Sequence, residues 1–264
     1  MTKVEFDVMF SQEGLEYDDI RVLANKSEEL EFKAFWLNDH FYFSKKPYLE
    51  CWTTLSSLAL MTNKIRLGPF VLCNLYRSPS VLAKMAATLD VISRGRLNLG
   101  LGAGWHEKEA ISYGINFPRY STRVMQVEEA IQIIKKMWTE DAPSFEGTYY
   151  SIKNAVCYPK PIQKPHPPIW IGFFQGKGLL KPAAKLANGC NIWLAGGRSL
   201  FSLGELKERL MILNEYCKLI GRDPKSLCKS VAVRVVVGKD NHQIKKRMGT
   251  PYHFLSRSQL VKAI

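Results

Sequence analysis

The sequence predicts an α/β protein of the (β/α)8 TIM-barrel class in which the eighth strand is lacking. Short apolar segments alternate with amphipathic helical patterns along the whole chain. The connections from each strand to the next helix are short, which favours parallel pairing with right-handed crossovers. The chain has 264 residues, of which 46% are hydrophobic, so one barrel domain over residues 1–264 can bury a large core.

Strands are predicted where short apolar segments stand between polar or turn residues. The clearest one alternates Leu97, Leu99 and Leu101 with small or polar residues. Seven segments of this kind follow one another along the chain, at residues 4–10, 34–38, 65–73, 96–101, 169–172, 190–194 and 231–237.

Helices are predicted between the strands, where apolar residues recur every three or four positions. Pro79 is expected at the first position of one helix, with Ser78 as its N-cap. Residues 144–158 predict a hairpin that turns at Glu146 and Gly147. Two predicted helices begin at residues 18 and 79, and a short one follows Trp105 and ends near residue 114. Four more cover residues 49–61, 121–138, 179–187 and 203–220.

The last residues predict an incomplete barrel. Residues 251–264 resemble the start of a helix, and no strand follows them. Either the sheet is open, or the chain stops before its eighth unit, and we favour the second interpretation. We therefore expect a C-terminally truncated form of a longer protein, because closure is what removes exposed strand edges from a barrel.

Composition narrows the class of protein. Six scattered cysteines, with no C-x-x-C, predict reduced thiols in a cytoplasmic protein. The first residues show no secretory signal, and no apolar run is long enough for a membrane span. The net charge of +13 is spread over helix faces, which disfavours nucleic-acid binding. It fits either a solvated surface or a field that attracts a small anionic ligand.

The most informative segment covers residues 94–109. The strand runs into Gly102, Ala103 and Gly104, and Trp105 then opens a short helix. Such bare backbone lets a flat ligand lie against the chain. Two known motifs do not fit this segment: Trp105 breaks the dinucleotide-binding pattern, and residues 106–110 lack the second histidine of a zincin helix. Elsewhere in the chain, residues 172–178 are one residue too short for a P-loop. No metal site is expected.

Seven motifs follow one another along the chain, at residues 36–40, 78–90, 93–105, 128–138, 145–149, 159–172 and 187–191. In this order they resemble the luciferase-like monooxygenase superfamily. They are closer to its F420-dependent branch, which includes methylenetetrahydromethanopterin reductases, than to light-emitting enzymes. The resemblance implies a (β/α)8 barrel that binds the deazaflavin coenzyme F420, or alternatively FMN, at the C-terminal ends of its strands. It also implies a homodimer.

The resemblance implies roles for residues at two strand ends. His40 would approach the central ring of the cofactor as a catalytic group, with Asp39 beside the cofactor. The alternative is a turn residue followed by a surface histidine. Cys73 and Asn74 would form a cofactor-binding bulge that holds a non-proline cis peptide, whereas the alternative is a plain strand end.

The same resemblance implies that Gly102, Ala103 and Gly104 contact the cofactor through their backbone. The indole of Trp105 would then form a wall of the pocket. Glu109 matches a position where some F420-dependent relatives have a catalytic acid, although a glutamate in a polar helix is more often solvated.

A further cofactor-binding segment is implied by the family's phosphate loop, which matches Gly172, Gly176, Lys177 and Gly178. Free N–H groups at the start of the following helix would favour an anion. The family usually has small residues at the positions of Phe173 and Phe174, so this chain departs from the pattern there.

Together these features predict an oxidoreductase that transfers a hydride between F420 and a small organic substrate. Two alternatives stay open: an FMN-dependent monooxygenase that uses molecular oxygen, and a catalytically silent flavin-binding barrel. The loops at 41–48, 114–120 and 144–158 are expected to select the substrate.

Overall fold

The computed structural model describes residues 4–173, 176–193 and 203–233, together with residues 235, 239, 240 and 242. Strands and helices alternate along this part of the chain. The strands are β1 (Val8–Phe10), β2 (Ala34–Leu37), β3 (Arg66–Pro69), β4 (Leu72–Cys73), β5 (Leu99–Gly102), β6 (Phe145–Glu146), β7 (Ser151–Ile152), β8 (Ile169–Phe173), β9 (Gly189–Trp193) and β10 (Cys228–Ala232). The helices are α1 (Tyr17–Glu29), α2 (Cys51–Met61), α3 (Pro79–Ile92), α4 (Glu107–Ser112), α5 (Tyr120–Thr139), α6 (Leu180–Leu186) and α7 (Leu203–Leu219).

The main strands pair in parallel and in chain order. One sheet has the order β1-β2-β3, and the second has the order β10-β9-β8-β5-β4. A parallel bridge between Leu67 and Leu97 joins the two sheets. The parallel α/β architecture predicted from the sequence is therefore confirmed, and a strand overlaps each of the seven predicted segments. The last prediction, residues 231–237, begins too late, because β10 starts at Cys228 and shares only residues 231 and 232 with it.

The third predicted strand, at residues 65–73, is divided into β3 and β4. A cis peptide bond joins Phe70 to Val71 between the two halves. The prediction of a cis peptide at Cys73 and Asn74 is therefore wrong in position, since the cis bond lies three residues earlier. Cys73 itself pairs with Gly102 in the β4–β5 ladder.

The helices cover the sheet with the faces that the periodicity predicts. Helices α3 and α5 pack against each other, and the indole N–H of Trp138 donates to the carbonyl of Ala83 at 2.9 Å. Pro79 begins α3 as expected. Ser78 does not cap the helix through its side chain, since its hydroxyl lies 3.1 Å from that of Ser80 instead.

The predicted hairpin forms between β6 and β7, which pair antiparallel with Phe145 opposite Ile152. Helix α5 holds its turn, because the Glu129 carboxylate accepts the backbone N–H groups of residues 148–150. In the part of the chain that the structure describes, no helix combines the length and apolar character needed to cross a membrane. The expected helix start at 251–264 lies outside the described residues.

Candidate active site

A cavity of about 800 Å³ opens at the C-terminal ends of the parallel strands. In α/β folds with parallel strands, ligands bind at this end of the strands. Nine of the residues proposed from the sequence line it: Asp39, His40, Cys73, Gly102, Ala103, Gly104, Trp105, Gly172 and Gly176. The structure therefore brings together residues from four separate segments of the chain.

The inner wall of the cavity is formed by Val71 and the glycines opposite it. A Cβ atom built on Gly102 would lie 2.7 Å from a methyl carbon of Val71, and one built on Gly172 would lie 2.6 Å from the same atom. Both distances are shorter than side-chain atoms can sustain. The two glycines thus allow Val71 to lie directly against the backbones of β5 and β8.

His40 and Glu109 form the polar part of the site. Nδ1 of His40 lies 2.7 Å from Oε2 of Glu109. The Tyr76 hydroxyl donates to the same oxygen at 2.8 Å, and the Phe41 backbone N–H donates to the other oxygen. A carboxylate can only accept hydrogen bonds, so Nδ1 of His40 carries a hydrogen. In the neutral imidazole, Nε2 is then the atom with the free lone pair.

Glu109 is completely buried, and its hydrogen bonds keep it charged. Burial raises the pKa of this carboxyl, but hydrogen bonds from His40, Phe41 and Tyr76 outweigh burial, so the pKa lies below its usual value. The solvated interpretation of Glu109 is therefore wrong. Glu109 is also absent from the cavity lining, because it lies behind His40. Its geometry is that of a residue that positions His40.

Aromatic rings surround His40 on its cavity side. The ring centroids of His40 and Phe43 are 4.2 Å apart, and those of His40 and Trp105 are 5.4 Å apart. Trp105 is 61% exposed although it lines the cavity. One part of the indole therefore packs on His40, while the rest is free to contact a ligand.

His106 also lines the cavity, and sequence reasoning did not assign it a role. It is the N-cap of α4, where its Nδ1 accepts the backbone N–H of Glu109 at 3.2 Å. Burial lowers the pKa of His106, although the nearby Glu109 opposes this shift, so the imidazole is neutral near pH 7. The sequence signal for His106 was its position at the start of the predicted helix, three residues before Glu109.

Asp39 lies at the cavity wall, but its carboxylate is already occupied. Both oxygens accept from the Arg77 guanidinium at 2.9 Å, and Oδ2 also accepts the Cys73 backbone N–H at 2.9 Å. Arg77 additionally contacts Glu50 at 2.5 Å. This buried cluster ties the end of β2 to the end of β4, and thereby fixes the turn that carries His40.

The predicted phosphate loop differs from expectation at two residues. Lys177 lies 2.5 Å from Glu208 of α7 as an exposed ion pair, and neither Lys177 nor Gly178 lines the cavity. The Tyr120 hydroxyl occupies the start of α6, where the backbone N–H groups of Gly178 and Leu179 interact with it. The helix start is thus covered by a side chain, which the sequence pattern could not reveal. Phe174 lies outside the described residues.

Asn74 faces a second, smaller cavity of about 280 Å³ and not the main one. Its amide nitrogen donates to the Tyr150 hydroxyl at 3.1 Å. Its side-chain oxygen is buried without a hydrogen-bond partner among the described residues. A contact between Asn74 and a ligand of the main cavity is therefore not supported by its position.

Arg123 and Asn191 are two further polar residues of the main cavity that the sequence analysis did not assign. Arg123 is held by the Ala103 carbonyl at 3.1 Å, and its guanidinium stacks 3.9 Å from the ring centre of Phe117. Asn191 accepts from the Ser230 hydroxyl, while its buried amide nitrogen has no partner among the described residues. In the sequence, Asn191 is the last residue of the motif at 187–191 and a polar side chain within an apolar strand, but no role was assigned to it.

Comparison with known proteins gives a family match over almost the whole chain. The family described as luciferase-like monooxygenase matches residues 1–263. An F420-dependent glucose-6-phosphate dehydrogenase of Kineococcus radiotolerans is 29% identical over 226 residues, which cover 83% of this chain and 64% of the relative. An enzyme of the same name from Microbacterium testaceum is 35% identical over 177 residues, covering 65% of this chain and 50% of the relative. The chain thus spans between half and two thirds of these relatives.

The fold also resembles solved structures. An F420-dependent secondary alcohol dehydrogenase, solved in complex with an F420-acetone adduct, superposes with a TM-score of 0.77. The sequence identity is 22%, and the match covers 87% of this chain and 68% of that protein. This likeness supports the fold.

Proposed function

The chain belongs to the luciferase-like monooxygenase family, and from this premise we propose that it is an F420-dependent oxidoreductase. It transfers a hydride between the deazaflavin and a small organic substrate. The observation that carries the proposal is His40, whose Nδ1 is held by the buried Glu109 while its ring lines the cavity. The names of the relatives support the same cofactor.

The cavity fits a cofactor with three fused rings. Its volume of about 800 Å³ lies within the usual range of cofactor pockets. Val71 and Trp105 supply apolar surfaces for a flat ring system. The buried amide nitrogen of Asn191 lacks a partner among the described residues, and it fits a carbonyl oxygen at the ring edge. Arg123 supplies a positive charge for an anionic group of the cofactor.

The chain's own residues would then bind the reactants and move one proton. When bound, the deazaflavin supplies the hydride-transfer chemistry. His40 accepts a proton at Nε2 when the substrate loses a hydride, and returns that proton in the reverse direction. Glu109 fixes the tautomer of His40 and stabilises its charged form. Trp105 and Phe43 pack against His40 and place apolar surface beside it.

We also propose the arrangement in which this site operates. The strands pair in chain order, which favours a (β/α)8-type barrel in a single domain. The family resemblance favours a homodimer with a small-molecule substrate. Light scattering of the purified protein at several concentrations tests the dimer: a mass of one chain at all concentrations contradicts it.

The cofactor proposal is tested by titrating the purified protein separately with F420 and FMN, following cofactor fluorescence. We expect F420 to bind more tightly at physiological salt. Glucose 6-phosphate and 2-propanol are then supplied with oxidised F420, and reduction is followed by its absorbance. Tighter FMN binding with oxygen-dependent turnover supports the monooxygenase alternative. Flavin binding without turnover of any substrate supports the silent barrel.

A further inference from the structure

His106 and His40 present complementary hydrogen-bonding atoms to the same cavity. We propose that His106 binds the substrate oxygen by donating from Nε2, while Nε2 of His40 accepts the hydroxyl proton of the same substrate. The substrate class is therefore an alcohol and its carbonyl product. The inference rests on the proposed function, and it assigns the substrate-binding part of that site.

The hydrogen position on His106 follows from its place at the start of α4. The backbone N–H of Glu109 donates to Nδ1 of His106 at 3.2 Å. An N–H group has no lone pair, so a neutral imidazole that accepts this bond carries its hydrogen on Nε2. Oε2 of Glu109 lies 3.5 Å from the same Nδ1, at the limit of hydrogen-bond distance, so the shorter backbone contact decides the tautomer. His106 is therefore a donor on the side away from the helix.

His40 has the opposite tautomer. Its Nδ1 donates to the Glu109 carboxylate at 2.7 Å, so in the neutral imidazole the Nε2 lone pair is the acceptor. One residue thus sets both tautomers: the Glu109 carboxylate acts on His40, and its backbone N–H acts on His106. The two tautomers are opposite because the carboxylate accepts a hydrogen bond from His40, while the backbone N–H donates one to His106.

The two rings are close enough to serve one ligand. Their centroids are 6.0 Å apart, their planes are inclined by 87°, and both rings line the cavity. Among the described residues, Nε2 of neither ring has a hydrogen-bond partner. Each side chain is mostly buried, with 12% of His40 and 22% of His106 exposed. A ligand in the cavity can therefore satisfy both atoms.

A hydroxyl group matches this pair because it donates one hydrogen bond and accepts others through the same oxygen. A carboxylate fits less well, since it would face the His40 lone pair without a donor. When the alcohol is oxidised, its O–H bond breaks and the proton goes to Nε2 of His40. The carbon-bound hydride leaves with its electron pair to an oxidised deazaflavin acceptor, which is reduced as the carbonyl forms. His106 stays bound to the oxygen throughout.

The variant His106→Asn tests this role without removing the helix cap. Asparagine at an N-cap accepts the backbone N–H through its side-chain oxygen, so the position of Glu109 is preserved. The shorter side chain removes the Nε2–H donor from the cavity. The matched control is Lys108→Gln, which changes an exposed residue of the same helix. We expect KM for 2-propanol to rise about tenfold in His106→Asn, with the F420 dissociation constant changed less than twofold and no change in the control.

Nitrogen-15 NMR of the imidazoles gives a readout that does not depend on turnover. In the protein without cofactor, we expect an Nε2–H tautomer for His106 and an Nδ1–H tautomer for His40. Acetone, which only accepts, is expected to shift the Nε2 signal of His106 alone. The donor and acceptor 2-propanol is expected to shift the Nε2 signals of both rings.

The outcomes separate this inference from the proposed function. An Nδ1–H tautomer on His106, no response of its Nε2 to acetone, or an unchanged KM in His106→Asn each overturns the role of His106. Failure of the wild-type protein to bind F420 overturns the proposed function, while the NMR result still decides the alcohol-binding pair.

Discussion

Glu109 and His40 stand 69 residues apart in the chain and share a hydrogen bond, yet only His40 reaches the cavity. The carboxylate belongs to the short helix after β5, and the imidazole belongs to the turn after β2. Parallel strands end at the same edge of a sheet, which is why these two segments meet. Glu109 is a charged carboxylate in the interior, whereas His40 presents its Nε2 atom to a ligand in the cavity.

Glu109→Gln is expected to lower kcat about tenfold to a hundredfold with little change in F420 affinity. The amide cannot stabilise a charged imidazole, and its NH₂ group competes with the Phe41 N–H and the Tyr76 hydroxyl. Steady-state kinetics with F420 measure this effect. Glu107→Gln, at an exposed position of the same helix, is the control. An unchanged kcat would mean that Glu109 has only a structural role.

His40→Ala is expected to leave the fold intact and to reduce turnover at least about tenfold, which corresponds to about 1.4 kcal/mol. The reason is the loss of the basic Nε2 atom at the cavity. Circular dichroism checks the fold, and F420 reduction measures the rate. Wild-type kinetics in this variant would leave His40 with a structural role only.

The pH dependence of stability provides a separate test of Glu109. Burial raises its pKa, but the hydrogen bonds of His40, Phe41 and Tyr76 lower it below the ordinary 4.5. A carboxyl with a depressed pKa stabilises the fold above its unfolded pKa, and this stabilisation is lost as the pH falls through its folded pKa. We expect the free energy of unfolding of the wild type to fall more steeply below about pH 5 than that of Glu109→Gln. Urea denaturation at several pH values measures both slopes, and parallel curves would contradict the prediction.

Gly172→Ala is expected to destabilise the protein by about 1–3 kcal/mol, because its Cβ would lie 2.6 Å from Val71. The additional change Val71→Ala removes the methyl groups that the new atom would meet. The double variant should therefore lose less stability than the sum of the two single variants. Urea denaturation of the four proteins completes the cycle, and strictly additive losses would show that the close contact does not matter.

Arg123→Gln and Lys177→Gln form a matched pair for cofactor binding. Arg123 lines the cavity, whereas Lys177 pairs with Glu208 outside it. We expect Arg123→Gln to weaken F420 binding about tenfold, which is typical for the loss of a charge-assisted hydrogen bond. Lys177→Gln should leave the dissociation constant unchanged. Fluorescence titration distinguishes the two, and the reverse order of effects would restore the predicted phosphate loop.

Much of the fold could be predicted from local pattern, because each strand and helix depends on nearby residues. Period-two and period-3.6 spacing located the strands and helices to within a few residues. The break in the third strand could not be predicted, since nothing in residues 65–73 marks the bond between Phe70 and Val71. The cavity wall there depends on glycines of β5 and β8, which only the sheet brings opposite Val71.

The candidate site shows the same division. Sequence motifs located His40, Gly102 and Trp105 because these residues lie at strand ends that share one edge of a parallel sheet. No sequence pattern near α6 indicates that the Tyr120 side chain covers the start of this helix. Its hydroxyl reaches the backbone of Gly178 only because α5 packs beside α6.

The sequence by itself determined the order of strands and helices, the family resemblance and the edge at which the cavity opens. Only the tertiary structure decided which side chains reach that cavity and in which protonation state. Glu109 is buried behind His40, Lys177 is turned outward to Glu208, and Arg123 is turned inward. The physical reason is that burial and hydrogen-bond partners come from segments far apart in the chain. Those partners, and not the residue type alone, set the charge of a side chain and the tautomer of a histidine.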